Sequence, residues 1–495
     1  EYGSRVARFV SFANVSPDIW LATPDASVER RAVANVIKRM KDNGTFTAEL
    51  EKADALKTVN ERIVAYFGLL DKAAEVLNLE EQLAWVNLQA LREAFEDMKK
   101  TSSFDAAANG EKLKFIEANY ADVVKNIGSG NPEVVAKAKA IVKAKRDVLM
   151  ANPVLDIDKI VVERYRLGAN DRKAMAPSLG TQNNNWSSQP SARRYGFDAE
   201  ICELSNLRGD IKSRTIFKPD NTSAVTDLQL HWDGDRLLFT MADDKNRWQV
   251  YQVGVDGKNL KQMIVSEEPD LHFCDANYLP DGRIVATSNM GYHGVPCVNG
   301  WDAVCNLVQY DPEKKKLRRL TFDQDGNWNP VVMNNGRLMY IRWEYTDLTH
   351  YFSRIVMHMN PDGTDNRSLY GSGSFWPNST FDVKPLPGNT SRFVGVISGH
   401  HGVARSGRLM LFDPAKSRKE EKGVIQEIPF KGRKIIPEVK DQLVDGVWPQ
   451  FIKPYPLDDK YFLVAAKLSP SSLWGIYLTD VFNNLTLVAE FEGEG

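Results

Sequence analysis

The chain reads as mainly β: a seven-bladed β-propeller, incomplete in this chain, preceded by an α-helical bundle. Three observations predict this. Leu279-Pro-Asp-Gly-Arg-Ile-Val-Ala286 and Asn334-Asn-Gly-Arg-Leu-Met-Tyr340 repeat one pattern, a tight turn followed by an apolar strand. The whole unit returns at about fifty residues, which is the spacing of a propeller blade. Before Asn152 the apolar spacing is helical instead, in a stretch rich in Ala, Lys and Glu.

Taken in order, residues 1–26 form an N-terminal segment whose strand Arg5–Phe12 is expected to complete a blade. Residues 27–152 form the helical domain. Its helices are expected at Val28–Asp42, Ala48–Leu77, Leu79–Lys99, Lys112–Asn126 and Pro132–Met150. Ser27 is a suitable cap for the first, and Asn43-Gly44 a suitable stop. Asn131-Pro132-Glu133 places proline in a first turn with an acid near the positive end of the helix. Residues 153–495 form the propeller. Its second-strand signature recurs at Asp158, Asp235, Gly282, Gly336, Ser391 and Asp459, six copies in all.

Composition narrows the classes of function. A chain of 495 residues with formal net charge −2 gives no broad attraction to nucleic acid or to an anionic membrane surface. No stretch of eighteen apolar residues is present, so no spanning helix is expected. The four cysteines, Cys202, Cys274, Cys297 and Cys305, form no Cys-x-x-Cys element. Cys297 and Cys305 bracket one short loop. A disulfide between them would place the chain in an oxidising compartment; two free thiols are the alternative.

The chemistry-bearing residues cluster where blade topology converges. Just before the second-strand signatures stand Asp270-Leu-His272, Asn327-Trp328, Phe375-Trp376 and Val447-Trp448. The second strands then exit through Ser288-Asn-Met-Gly-Tyr292-His293, Arg342-Trp-Glu344-Tyr345 and Ser398-Gly-His400-His401-Gly-Val-Ala-Arg405. Starts of inner strands and ends of second strands share one face of a propeller. The candidate catalytic residues are therefore His400, His401, Arg342, Tyr345, His272 and His293. The candidate substrate-binding residues are Trp328, Trp376, Glu344, Arg405 and Tyr292. Trp328 and Trp376 can equally wedge neighbouring blades apart. Asp362-Gly-Thr-Asp365 and Asp323-Gln-Asp-Gly326 resemble calcium loops but lack the remaining ligands. No metal or cofactor is assigned, and a structural calcium ion is the one ion left open.

Trp343-Glu-Tyr-Thr-Asp-Leu-Thr-His-Tyr-Phe-Ser-Arg354, Met359-Asn-Pro-Asp-Gly363, Ser398–Arg405 and Leu473-Trp-Gly-Ile-Tyr477 resemble the propeller family named after the hydrazine synthase alpha subunit. The resemblance covers about Asn152 to Ala489. Haem-bearing relatives carry Cys-x-x-Cys-His elements; this chain has none, so no haem is expected. A helical segment ahead of a haem-free propeller is also similar to the bacterial L-rhamnose-α-1,4-D-glucuronate lyases, polysaccharide lyase family twenty-seven. That resemblance implies a secreted bacterial enzyme, periplasmic or extracellular, acting on a uronate-containing glycan.

Such a lyase removes the C5 proton of a uronate and expels the group at O4. It needs a base at C5 and donors or a cation at the carboxylate. Histidine suits the first role and the planar fork of arginine the second. Two other classes remain open: a glycoside hydrolase using paired carboxylates drawn from Glu344, Asp347, Asp275 and Asp445, and a propeller that only binds a glycan or a protein. On the lyase reading, His400→Ala, His401→Ala and Arg342→Ala should each lower turnover by about 10²-fold or more, measured as ultraviolet absorbance of an unsaturated uronate.

Overall fold

The computed structural model describes residues 12–166, 189–296, 299–344, 354–399, 403–470 and 472–491. The chain divides into two compact units at Pro153–Val154.

The first unit is helical. α1 (Pro17–Leu21) starts at Ser16, whose hydroxyl accepts the Ile19 amide. Phe12, the end of the expected N-terminal strand, is helical too; the rest of that strand lies outside the described residues. α2 (Ser27–Arg39) begins with Ser27 inside the helix. The cap position is Ala26 at φ 65°, and the Asp25 carboxylate accepts the Ser27 amide at 3.0 Å. α3 (Gly44–Asp54) follows the Asn43-Gly44 break. The single helix expected over Ala48–Leu77 is two helices. Thr58 and Glu61 satisfy each other's amides in a capping box that opens α4 (Val59–Ala84). The apolar spacing continues across that break, so periodicity alone does not reveal it. α5 (Leu88–Met98) and α6 (Ala106–Asn126) precede α7 (Pro132–Met150), where the Asn131 side chain accepts the Glu133 amide at 2.9 Å. α4 is central: it packs on α2, α3 and α7 and buries Leu69, Leu70, Ala73, Val76 and Leu77.

Among the described residues the second unit holds six consecutive antiparallel blades, the fourth and fifth joined by one parallel bridge between Arg354 and Ser379. Blade 1 has three strands, Lys159–Arg166, Asp198–Ser205 and Lys212–Phe217. Blade 2 runs from the inner strand Val225–Leu230 through Arg236–Ala242 and Trp248–Gly254 to Lys261–Gln262. Blade 3 has the order Phe273–Tyr278, Ile284–Ser288, Asn306–Asp311, Lys316–Arg319. Blade 4 has Asn327–Val332, Leu338–Trp343, Arg354–Met359 and Arg367–Tyr370. Blade 5 has Ser379–Pro385, Phe393–Ser398, Arg408–Phe412 and Val424–Ile428. Blade 6 has Gln450–Pro456, Tyr461–Lys467, Gly475–Asp480 and Leu485–Ala489. A seventh blade is not among the described residues, and there no sheet is closed by a strand from the far end of the chain.

First strands pack on first strands from blade 1 to blade 6, which puts them innermost. Between the sheets lie the apolar cores. One is built around Trp328, Trp376, Phe381 and Phe412, and another around Leu238, Phe273, Ile284 and Tyr310.

The inner strands share a device. In blades 2 to 6 each breaks register with its neighbour at the same place, across Thr226/Gln229, Cys274/Asn277, Trp328/Val331, Phe381/Lys384 and Ile452/Tyr455. One residue of each bulge lies in the left-handed region: Asp227 (φ 60°), Asp275 (51°), Asn329 (51°), Asp382 (49°) and Lys453 (49°). Asp and Asn tolerate that conformation better than most residues. The bulge turns the side chains of the first four along the ring, each to the next blade. The Asp275 amide donates to Asp227 Oδ2 at 3.1 Å, and the Asn329 amide to Asp275 Oδ2. The Asp382 amide donates to Asn329 Oδ1 at 2.7 Å, and the Lys453 amide to Asp382 Oδ2 at 3.0 Å. On the other side, Glu163 of blade 1 accepts the Leu228 amide of blade 2 at 2.8 Å.

Hydrogen bonds to charged groups contribute about 1.5–3 kcal/mol each, and an orphaned buried partner costs a comparable amount. Asp382 also faces the Lys453 ammonium at 3.8 Å. Asp382→Ala is therefore expected to lower propeller stability by about 2–4 kcal/mol. Asp382→Asn, which keeps an acceptor for the Lys453 amide, should lose less than half of that. Urea unfolding of the two variants measures the difference.

Candidate functional site

The bulge ring opens on a cavity of about 420 Å³ at the axis, which runs outward between blade 1 and blade 6. Ile160, Val162, Leu204 and Leu237 wall one side; Leu463, Ala465, Trp474 and Ile476 wall the other. Arg164, held by Glu200 at 2.9 Å, lies 5.0 Å from the Phe491 ring centroid across the cleft. The inner end is charged. It carries the carboxylates of Glu163, Asp227, Asp275 and Asp382 and the ammonium groups of Lys384 and Lys453. Apolar walls with a few convergent polar groups are the usual make-up of a small-molecule site.

The charges are not equally satisfied. Lys453 reaches Asp227 at 3.6 Å and Asp382 at 3.8 Å. Burial works against its ammonium, but Asp382, Asp227 and Glu163 more than compensate and raise its pKa. Asp227 Oδ1 also accepts the Thr226 hydroxyl at 3.2 Å. Glu163 and Asp275 differ. Each has one oxygen on a backbone amide, and the other has no partner among the described residues. Burial pushes the Glu163 carboxyl up to about 7, with Lys453 opposing and Asp227 adding to the rise. Burial and then the Asp227 carboxylate raise Asp275 as well. Lys384 is lowered by burial and by the nearby Lys453, and it has no ion-pair partner among the described residues.

The expected rim residues fall into several groups. His400, His401 and Tyr345 lie outside the described residues. Arg342 is already engaged: its Nε stands 3.3 Å from Asp323 and its Nη2 3.2 Å from Glu344. A substrate carboxylate would have to displace one of them. His272 Nδ1 accepts the Trp248 amide at 3.0 Å. This fixes the neutral tautomer with hydrogen on Nε2, so the ring can donate but has no lone pair free to take a proton. Burial holds its pKa down at about 4, with Arg194 adding to the effect. His272 is thus corrected from base to donor. His293 Nε2 lies 3.2 Å from the Gln324 carbonyl, and Tyr292 beside it is exposed, its hydroxyl 3.4 Å from Asp270.

Trp328 and Trp376 are also corrected. Both are buried in the core between blades, so neither offers an open face to a sugar. Trp328 stacks on Trp343, with ring centroids 6.2 Å apart. Arg405 was expected to bind substrate at the rim. Its guanidinium lies 4.7 Å from the Trp328 ring centroid and 5.0 Å from that of Phe381. Burial lowers its pKa to about 10, although the ring carboxylates of Asp275, Asp382 and Asp227 oppose this. Cys305 is a free buried thiol beside Cys274 rather than half of a disulfide; Cys297 lies outside the described residues. The two calcium-like loops spend carboxylate oxygens on their own donors: Asp362 takes the Thr364 amide, and Asp323 the Asn327 side chain.

Sequence reading missed most of the axial residues. Their signal is a polar residue set within each inner strand: Thr-Asp227-Leu, Cys-Asp275-Ala, Trp-Asn329-Pro, Phe-Asp382-Val and Ile-Lys453-Pro. Aligning the blades on their inner strands instead of their second strands would have exposed it.

No protein-family model matches the chain, and no curated protein matches it. Among solved structures the chain is similar to the Kuenenia stuttgartiensis hydrazine synthase, at 14% identity and a TM-score of 0.49. That match takes in 68% of this chain and 46% of the other, so the chain spans less than half the length of that relative. It is also similar to the β-propeller domain of the Trilobed protease from Pyrococcus furiosus, at 10% identity over 62% of this chain and 91% of that one, with a TM-score of 0.33. TolB from Agrobacterium tumefaciens matches at 17% identity over 52% and 85%, with a TM-score of 0.33. The site described above rests on none of these likenesses. No described helix is long and apolar enough to cross a membrane.

Glu163 ionises near 4.5 in an ordinary setting and near 7 in the fold. Between those values the folded chain holds a proton that the unfolded chain releases. The stability associated with this group is therefore complete below the lower value and is lost as pH rises through 7. Glu163→Gln, which stays neutral and keeps an acceptor for the Leu228 amide, should raise Tm at pH 8, and the gain should shrink towards pH 5. Thermal scans at the two pH values check the sign.

Proposed function

We propose that the propeller binds a compact small molecule in the axial cavity, with its apolar body between blades 1 and 6 and its polar end on the bulge ring. The cavity carries this reading: about 420 Å³, walled by aliphatic side chains, ending on charged groups that the protein itself leaves partly unsatisfied. Filled inter-blade cores elsewhere in the unit, such as the one around Trp328 and Phe381, set the contrast. Of the three expected classes, this favours the binding propeller.

One observation supports a catalytic variant of the same site. Glu163 and Asp275 line the same cavity, each with one carboxylate oxygen uncommitted, and burial raises both pKa values towards the range in which a carboxyl can exchange a proton near neutrality. Carboxyls of this kind are what a glycoside hydrolase would require. The uronate-lyase reading has less support, because Arg342 is already held by two carboxylates and His272 is a donor.

Thermal shift with a panel of neutral sugars, uronate oligosaccharides and amino acids tests the binding reading. A compound at a hundred times its Kd stabilises by about 2.7 kcal/mol. Ala465→Trp, which fills the cavity, should abolish the shift. A shift that persists unchanged in folded Ala465→Trp, or a panel that moves nothing, refutes it. Product analysis of the same mixtures separates the enzyme classes: new reducing ends lost in Asp275→Asn mark a hydrolase, and an unsaturated uronate marks a lyase.

A further inference from the structure

We infer that the ligand of this cavity is a compact zwitterion with an apolar body, of the size and charge of an α-amino acid; this rests on the cavity being the binding site. Three charged groups facing the cavity lack a partner among the described residues. Glu163 and Asp275 each keep one carboxylate oxygen uncommitted, after the Leu228 and Asn329 amides take the other. The Lys384 side chain, two residues beyond the Asp382 bulge, forms neither a hydrogen bond nor an ion pair among the described residues. All three line the same cavity. The remaining ring charges answer one another, with Lys453 set between Asp227 and Asp382.

An unpaired charge in a place with little water is costly, and it is stabilised by an opposite charge in hydrogen-bond contact. The two open carboxylate oxygens call for an ammonium, which donates three hydrogen bonds. The open Lys384 ammonium calls for a carboxylate. Lys384 and Asp275 both line the cavity and form no ion pair with each other, so the cavity offers a group of each sign to a ligand that carries both charges. A purely anionic ligand would leave Glu163 and Asp275 unanswered, and a purely cationic one would leave Lys384. The aliphatic walls and Trp474 then receive the apolar side chain. Two neighbouring guanidinium groups are engaged elsewhere. The Arg164 guanidinium is bound to Glu200, and Arg405 lies against the rings of Trp328 and Phe381.

Titration calorimetry of the full chain at pH 8 tests this with four probes: L-leucine, L-phenylalanine, L-leucinamide, which lacks the carboxylate, and N-acetyl-L-leucine, which lacks the ammonium. At least one of the two amino acids should bind, and both single-charge analogues should bind at least about tenfold more weakly. Lys384→Met should reduce amino-acid affinity to that of the amide while leaving the amide unchanged. Asp275→Asn should weaken the amino acid and the amide but leave N-acetyl-L-leucine unchanged. Thermal scans confirm that each variant is folded. Equal binding of all charge classes, abolished by Ala465→Trp, overturns the zwitterion and leaves the cavity reading standing. Binding that Ala465→Trp does not touch overturns both. No heat from any of the four probes at millimolar concentration overturns the zwitterion.

Discussion

The second unit depends on one interaction repeated around its axis: a side chain at a bulge accepting the backbone amide of the next bulge. A blade is only an antiparallel sheet, and nothing within a sheet tells it where its neighbour must stand. Apolar packing between blades is non-directional and tolerates sliding. The amide–carboxylate bonds are directional. They pin Asp227, Asp275, Asn329, Asp382 and Lys453 at one depth. The bulges that make this possible give up regular pairing in every inner strand from blade 2 onward.

The same ring creates the site. Pointing acidic residues along a narrow axis crowds like charges in a region of poor solvation. Burial, with the Asp227 carboxylate adding to it, raises Glu163 and Asp275, and Lys453 serves as the internal counter-ion. The ring is also uneven. Asn329 stands where an acid would complete the series, and Lys453 where a further Asx residue would. Blades 2, 3 and 5 therefore contribute negative charge that blade 4 does not repeat and blade 6 reverses, and the cavity has an electrostatic direction. Function in a propeller needs such asymmetry, because a perfectly repeated ring has no reason to hold a ligand in one orientation. Between blades 1 and 6 the apolar surfaces stand apart instead of interlocking, and the cavity extends into that space.

The rim tells a different story. Topology brings its residues to one face, and the described ones stand at strand starts and exits. Proximity to a face is weaker than commitment to a ligand. Arg342 is spent on Asp323 and Glu344, His272 on the Trp248 amide, and the two tryptophans on packing. Each of these serves the stability of the fold, whereas in the axial cavity Glu163, Asp275 and Lys384 keep charge without a partner among the described residues.

Much of the architecture was legible in the sequence because it is written in local periodicity. The turn-plus-strand signatures at Gly282 and Gly336 begin real second strands, and Pro132 opens a real helix behind its Asn131 cap. The split at Ala55–Thr58 was not legible, because a capping box is a local hydrogen-bond exchange that apolar spacing does not record. The six second-strand signatures match the six described blades, whereas how many blades surround the axis depends on how they meet, which a period does not record. The axial charges were the least legible. Asp227, Asp382 and Lys453 are far apart in the chain, and in sequence each is an unremarked polar residue inside an apolar strand. Sequence by itself determined the helical and blade elements, since those follow from the spacing of neighbouring residues. Only the tertiary structure decided which charges meet, because burial, bulge direction and counter-ions are set by groups contributed from different blades.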